Sequence, residues 1–223
     1  MEPALMLLAS LFVDAFRFIP HHAGLLLNKT GELAELAFAA LGIALLIALP
    51  LGLWLGHRHR GLFLALGVSS LGRALPSIAV IGLGIAVLGV GFWNNTVALV
   101  VLAIPPILTN AYFAVEGADR DAVEAARGMG LTEAQILVRV ELPLGLPLVL
   151  AGLRIATVFV IATATIAGIA GGGGLGEVMT NQPTYGLPGV LAAALCVSAL
   201  ALVTAGVLAL GQRAAFRRMA PSA

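Results

Sequence analysis

The sequence predicts an all-α integral membrane protein, and three observations predict it. The chain is 60% hydrophobic and only 10% charged, whereas soluble globular chains carry about 25% charged residues. Its mean hydropathy is +1.05. Its apolar residues gather in long runs separated by short polar segments, and a run of about 20 residues suffices for a helix to cross the hydrocarbon core. A chain of 223 residues has room for roughly five or six such helices. Five spans are expected, preceded by an N-terminal interfacial helix or a sixth span. Gly and Ala inside the apolar runs suit close helix approach in lipid, where association depends on packing. The net charge of +1 gives no reason to expect a nucleic-acid partner. The single Cys196 rules out an internal disulfide or cysteine metal cluster and reads as a buried thiol.

Residues 1–30 form the N-terminal segment. It is apolar but interrupted by Asp14 and Arg17 and lacks a basic start and a small-residue cleavage site, so it reads as an interfacial or elbow helix in preference to a span or a signal peptide. Residues 31–212 form the transmembrane domain and 213–223 a cytoplasmic tail. The first span, about 33–55, ends in His57-Arg58-His59-Arg60. Alternating arginines repel a cation, so this cluster reads as a topological signal that places it in the cytoplasm, not as a metal site. The apolar region 61–88 is too long for one untilted span and contains Arg73 and Pro76. A midmembrane Arg73 must face protein, water or an interface; either 61–72 lies along the cytoplasmic surface or Arg73 faces an aqueous cavity. Pro76 should kink or restart the helix. A turn over 89–95 places Trp93 at the outer interface. The third span, about 96–115, carries Pro105-Pro106, whose break would let it line a pathway. The fourth span is about 148–170, with Arg154 near enough to its cytoplasmic end to snorkel. An external loop covers 171–188, and the last span, about 189–210, precedes Arg213, Arg217 and Arg218.

Between spans three and four, the cytoplasmic segment 116–146 holds more than half of the acidic residues. It reads as two short helices. Asp119 caps the first, which stops at Gly128. Thr132 and Gln135 have capping-box spacing for the second, and Pro143 and Pro147 end it before the next span. Ala125 and Ala126 keep the first helix slim enough to enter a groove, Glu124 offers an anchor for a cation, and Gly130 permits positive φ or close backbone approach. This describes a compact docking elbow.

Other motifs carry less. Gly171-Gly172-Gly173-Gly174-Leu175-Gly176 lacks the Lys-Ser/Thr of a phosphate-binding loop and lies on the external side, so a re-entrant or gate-forming turn is the better reading. Asn28-Lys29-Thr30 matches a glycosylation sequon by chance. No triad, paired intramembrane carboxylates or H-E-x-x-H motif points to an enzyme. The candidate pathway or gate residues are Arg73, Pro76, Ser77, Pro105, Pro106, Gly173, Gly174 and Gly176.

The elbow resembles the "EAA" loop of ABC importer permeases, E-A-A, three residues, G, nine residues, I-x-L-P. Here Glu124, Ala125, Ala126, Gly130, Val140, Leu142 and Pro143 keep that spacing, with Val140 for Ile. The likeness extends over about 31–210. Leu75-Pro76-Ser77-Ile78-Ala79, the run Val140 to Pro147, Ala151-Gly152-Leu153-Arg154 and the turn Ala170 to Glu177 resemble the osmoprotectant (glycine betaine, carnitine, choline) branch of the MetI-like permeases; the methionine branch shares the fold and the glycine turn. The resemblance implies a MetI-like permease core in the bacterial inner membrane and a second permease chain, identical or sister. It also implies two cytoplasmic ATPase subunits that bind the ATP-Mg, with no cofactor in this chain, and an extracytoplasmic solute-binding protein. ATP binding would swing the elbow and switch the permease between two global states. A quaternary ammonium calls for an aromatic cage, yet aromatics make up only 6% of the chain, which agrees with recognition in the binding protein. The alternatives are an amino-acid permease such as one for methionine, or an ion-gradient-driven transporter. The latter usually needs ionisable residues deep in its spans, and only Arg73 and Arg154 qualify.

Overall fold

The computed structural model describes residues 2–59 and 61–219; Arg60 of the basic cluster and the last four residues of the tail lie outside them. Among the described residues every regular element is helical: α1 Glu2–His21, α2 Ala23–His57, α3 Leu62–Ala74, α4 Ser77–Leu88, α5 Phe92–Glu116, α6 Arg120–Gly128, α7 Glu133–Ile136, a π turn Leu137–Glu141, α8 Leu142–Ala167, a 3-10 turn Gly168–Ala170, α9 Leu175–Thr180 and α10 Gln182–Met219. Four helical stretches are long and apolar enough to cross a membrane: Ala23–His57, Phe92–Glu116, Glu133–Ala167 and Gln182–Arg217.

The chain forms two compact units. One comprises Met1–Ala40, Ser77–Leu99 and Val160–Val203; the other comprises Leu41–Pro76, Val100–Phe159 and Thr204–Ala223. In the first unit, α1 packs the ring of Phe18 against Gly189 of α10, where a Cβ would lie 3.1 Å from Phe18 Cζ. The glycine turn after α8 is pinned to the start of α2. Glu32 accepts hydrogen bonds from the Gly174 amide at 2.8 Å and from Lys29 Nζ at 2.9 Å, and Lys29 also donates to Glu177 at 2.7 Å. Gly174, at φ 74° and ψ −171°, occupies backbone space essentially restricted to glycine.

In the second unit α2 and α5 meet backbone to backbone. A Cβ on Gly52 would lie 2.6 Å from the Leu108 carbonyl oxygen, and one on Gly56 would lie 2.5 Å from that of Tyr112. The Gly52-x-x-x-Gly56 spacing puts both glycines on one helix face, as close packing in lipid requires. Around this contact Leu53, Ala111, Ala114, Val115 and Val149 form an apolar core, with Leu49, Leu137 and Leu142 packed against it. On α8, Gly145 abuts the Ala114 carbonyl and Gly152 the Pro106 carbonyl, so α5 is clasped from both sides by small residues.

Several expectations require correction. The first span is not confined to 33–55, because α2 runs unbroken from Ala23. Thr30 Oγ1 donates to the Leu26 carbonyl at 2.6 Å and Lys29 is paired with two carboxylates, so the polar groups ahead of residue 33 are satisfied within the helix. Residues 30 and 31 both lie in α2, and 212 and 213 in α10. The restart at Pro76 is as expected: the region 61–88 is two helices of 13 and 12 residues. Pro105 and Pro106 do not break α5; both lie inside it, and Pro105 is accommodated by Gly72 of α3, which has no side chain to collide with the ring. Pro143 and Pro147 do not end the second loop helix. The chain passes from α7 through the π turn into α8, with both prolines in α8. A π turn is wider than an α turn, and placed just before Pro143 it relieves the clash between a proline ring and the preceding turn. Finally, 171–188 is not an open loop: it contains α9 and the start of α10, which departs from helical geometry at Gly186 (φ 65°, ψ 177°).

The α2–α5 contact gives a direct test. Gly56→Ile forces a side chain into the Tyr112 carbonyl, and overpacking costs about 1–3 kcal/mol. Gly42→Ile, on the same helix but with nothing within 4 Å of the added Cβ, is the control. The thermal midpoint of the detergent-purified chain should fall for Gly56→Ile and stay near wild type for Gly42→Ile.

Candidate functional site

The segment 116–146 builds a rigid elbow from local hydrogen bonds. The Asp119 side chain accepts from the Asp121 amide at 3.0 Å and caps α6, as its sequence position indicates. At the other end, Leu131 N–H donates to the Ala126 carbonyl at 3.2 Å and Gly130 N–H to that of Arg127 at 3.0 Å. This pair of bonds is a Schellman motif, which needs a left-handed residue just past the helix. Gly130 supplies it, at φ +83°, and nothing crowds the position where its Cβ would be. The spacing from Glu124 to Gly130 is thus that of a short helix and its terminating glycine. Two residues on, Thr132 and Gln135 form the expected capping box: Thr132 N–H to Gln135 Oε1 at 2.9 Å, and Gln135 N–H to Thr132 Oγ1 at 3.4 Å.

The motif residues separate by exposure. Glu124, Ala125, Gly128 and Gly130 lie exposed on the elbow, and Met129 is 74% exposed at its tip. Ala126 is buried. Leu142 turns into the apolar core beside Leu53 and Val115, Val140 is half-buried, and Pro143 is exposed at the start of α8. The first half of the motif therefore makes a surface, and the second half anchors it.

The polar residues behind that surface form a connected chain. Arg127 of α6 holds Glu133 of α7 with two bonds, Nε to Oε1 at 3.2 Å and Nη2 to Oε2 at 3.1 Å. Glu133 Oε2 lies 3.3 Å from His57 Nε2, and the other imidazole nitrogen, Nδ1, lies 2.7 Å from Glu141 Oε2. Glu141 is 2% exposed. Alongside, His59 Nδ1 sits 2.8 Å from Glu116 at the end of α5, and Arg58 lies over the Trp54 ring at 5.8 Å. A cavity of about 390 Å³ is lined by His57, His59, Glu116, Glu124, Arg127 and Glu141 among others.

Read as a topological signal, the His57–Arg60 cluster hides this function of its histidines. Glu141 stands inside the motif, yet its spacing assigns it nothing. A carboxylate within the apolar run Leu137 to Leu148 was the available signal, since burying one demands a partner. Arg127 and Glu133 were missed because pairing across a turn follows no helical spacing. No group of three or more metal-ligating side chains occurs among the described residues.

The candidate pathway residues fall elsewhere. Pro76 is exposed at the break between α3 and α4, and Ser77 opens α4. The Arg73 side chain lies outside the described ones. Pro105 is buried in α5, with Pro106 half-buried beside it. Gly173, Gly174 and Gly176 line the pinned turn of the first unit; Gly176 abuts the Thr165 carbonyl.

Comparison with known proteins places this architecture. Residues 48–217 match the family described as "Binding-protein-dependent transport system inner membrane component". The chain is 35% identical over 202 residues to the choline transport system permease protein OpuBB of Bacillus subtilis (strain 168), covering 88% of this chain and 91% of that protein. It is 36% identical over 179 residues to the carnitine transport permease protein OpuCB of Listeria monocytogenes, covering 80% and 82%. It is 33% identical over 202 residues to the osmoprotectant import permease protein OsmW of Salmonella typhimurium, covering 86% and 92%. A chain of the MetNI methionine ABC transporter, in an inward facing conformation, superposes with a TM-score of 0.74 at 22% identity over 86% of this chain and 97% of that one.

Gly130→Val tests the cap. A β-branched residue in left-handed geometry costs roughly 1–2 kcal/mol. Limited proteolysis of membranes should cut faster between α6 and α7 in this variant, with membrane insertion unchanged.

Proposed function

Because the chain belongs to the inner membrane components of binding-protein-dependent transport systems, we propose that it is the permease of an ATP-driven importer for quaternary-ammonium osmoprotectants such as glycine betaine, carnitine or choline. The observation that carries the coupling half of this reading is the capped elbow with Glu124, Ala125 and Met129 exposed on it. The substrate half rests on the relatives, whose names cite choline, carnitine and osmoprotectants. The likeness to a methionine transporter chain, at 22% identity, speaks to fold alone.

In this reading the cytoplasmic ATPase subunits receive the elbow in a groove. Slim Ala125 lets α6 enter, Glu124 meets a cation, and Met129 supplies adaptable apolar contact. ATP-Mg binds and is hydrolysed in those subunits. An extracytoplasmic binding protein delivers solute, and a second permease chain, identical or sister, completes the pathway. Candidate pathway elements are the break at Pro76-Ser77, Pro105-Pro106 in α5, Arg73, and the turn with Gly173, Gly174 and Gly176. Ligand binding and nucleotide state act by biasing two conformations, so the elbow need only be stiff enough to transmit that bias.

The test is gentle purification of the tagged full chain from its own host, followed by uptake measurements. ATPase subunits should accompany the wild type and be lost with Glu124→Lys. Proteoliposomes loaded with ATP should take up glycine betaine, choline or carnitine after the ion gradients are collapsed. Methionine uptake in their place would overturn the substrate reading. An ATPase bound equally by wild type and Glu124→Lys would overturn the docking site.

A further inference from the structure

We infer that His57 is the positioning residue through which the docking elbow drives α2, with Glu141 as its buried anchor. The inference rests on the reading of the elbow as the motor's dock and adds the load path behind it. His57 is the last residue of α2. Each of its imidazole nitrogens faces a carboxylate, and the two carboxylates come from different parts of the elbow: Glu133 opens α7 and Glu141 closes the π turn. Glu133 is in turn held by Arg127 of α6, the helix that presents Glu124. An unbroken side-chain path therefore runs from the docking helix to the end of a membrane-spanning helix.

Three observations make this path a strut and not incidental packing. First, His57 lines two cavities, one of about 390 Å³ shared with Glu124, Arg127 and Glu141, and one of about 540 Å³ shared with Arg127, Glu133 and Leu137. Side chains of α7 and α6 thus reach the end of α2 beside these two open clefts. Second, the two ends of the strut differ in stiffness. The Arg127–Glu133 pair is more than half exposed and yields easily, whereas the side chains of Glu141 and His57 are only 3% and 10% exposed. A buried carboxylate cannot leave its partner without standing unpaired. Third, Glu141 ends a π turn, and such turns, less favourable than α geometry, concentrate at functional sites. The turn sets the register that brings Glu141 to His57.

The experiment uses the whole importer, this chain with its ATPase and binding protein, in proteoliposomes. ATP hydrolysis and uptake of a radiolabelled mixture of glycine betaine, choline and carnitine are measured together. His57→Ala strands the Glu141 carboxylate and endangers folding. The decisive variant is therefore the double change His57→Leu with Glu141→Leu, since an apolar pair of similar volume commonly preserves stability. Arg58→Ala is the neighbouring control. The expected result is a complex that assembles and hydrolyses ATP as the wild type does, with solute moved per ATP reduced about five-fold or more, the range of a genuine coupling between sites. A merely structural pair would lower yield and both activities together. The proposal is overturned by a double variant with wild-type solute moved per ATP, or by one that loses its ATPase. Failure of the docking reading looks different: the ATPase is then retained equally by the wild-type chain and by Glu124→Lys.

Discussion

The structure of the second unit depends on one contact, the approach of α2 to the carbonyl edge of α5 at Gly52 and Gly56. Lipid tails are as apolar as leucine, so nothing squeezes two helices together as water would; close approach and dispersion must do it. Removing two side chains four residues apart lets the backbones touch. One residue past Gly56 stands His57, and two further on His59, which reaches Glu116 at the end of α5. The same contact that packs the helices therefore fixes where their cytoplasmic ends meet and delivers an imidazole to the elbow. A bulky residue at Gly56 would displace His57 as surely as it would open the core.

The elbow itself is held by different physics. It has little core of its own: Ala126 and Ile136 are its buried apolar residues, together with the half-buried Leu137. Its shape comes from caps. Asp119, the Schellman bonds around Gly130 and the Thr132–Gln135 box satisfy several of the backbone groups that two short helices leave open. Capping bonds are local, so they give stiffness without bulk. That would suit the proposed role of a part that fits a partner's groove and still resists bending.

How much of this was legible in the sequence follows the range of the interactions. Asp119, Gly128, Gly130 and Thr132–Gln135 act within a few residues, and their positions alone predicted the elbow's caps. Pro76 likewise restarted a helix where expected. Where a distant partner intervenes, local rules failed. The first span reads as starting near 33 until Glu177 is seen against Lys29 inside the same helix. Pro105 and Pro106 read as a break until Gly72 is seen making room. Pro143 reads as a stop, but the π turn before it carries the chain through. The EAA spacing marked the exposed surface yet was silent about His57, Glu133 and Glu141, because a His–Glu pair 84 residues apart leaves no periodic trace.

These two kinds of bonding give the buried His57–Glu141 contact a distinct place in the second unit. A membrane-embedded packing contact is non-directional; helices joined only by small residues slide as readily as they rotate. Transmitting a push requires at least one joint whose geometry is expensive to change. Exposed ion pairs do not qualify, since water replaces either partner at little cost. A carboxylate enclosed at the end of a π turn, with an imidazole from another helix against it, does qualify. Among the described residues of the second unit, the elbow, the packed helix pair and a buried carboxylate meet there, while the Arg127–Glu133 contact, more than half exposed, lies nearer α6. If α6 docks as proposed, a yielding outer contact and a buried inner one would let the elbow seat in a partner first and pull on the helix afterwards.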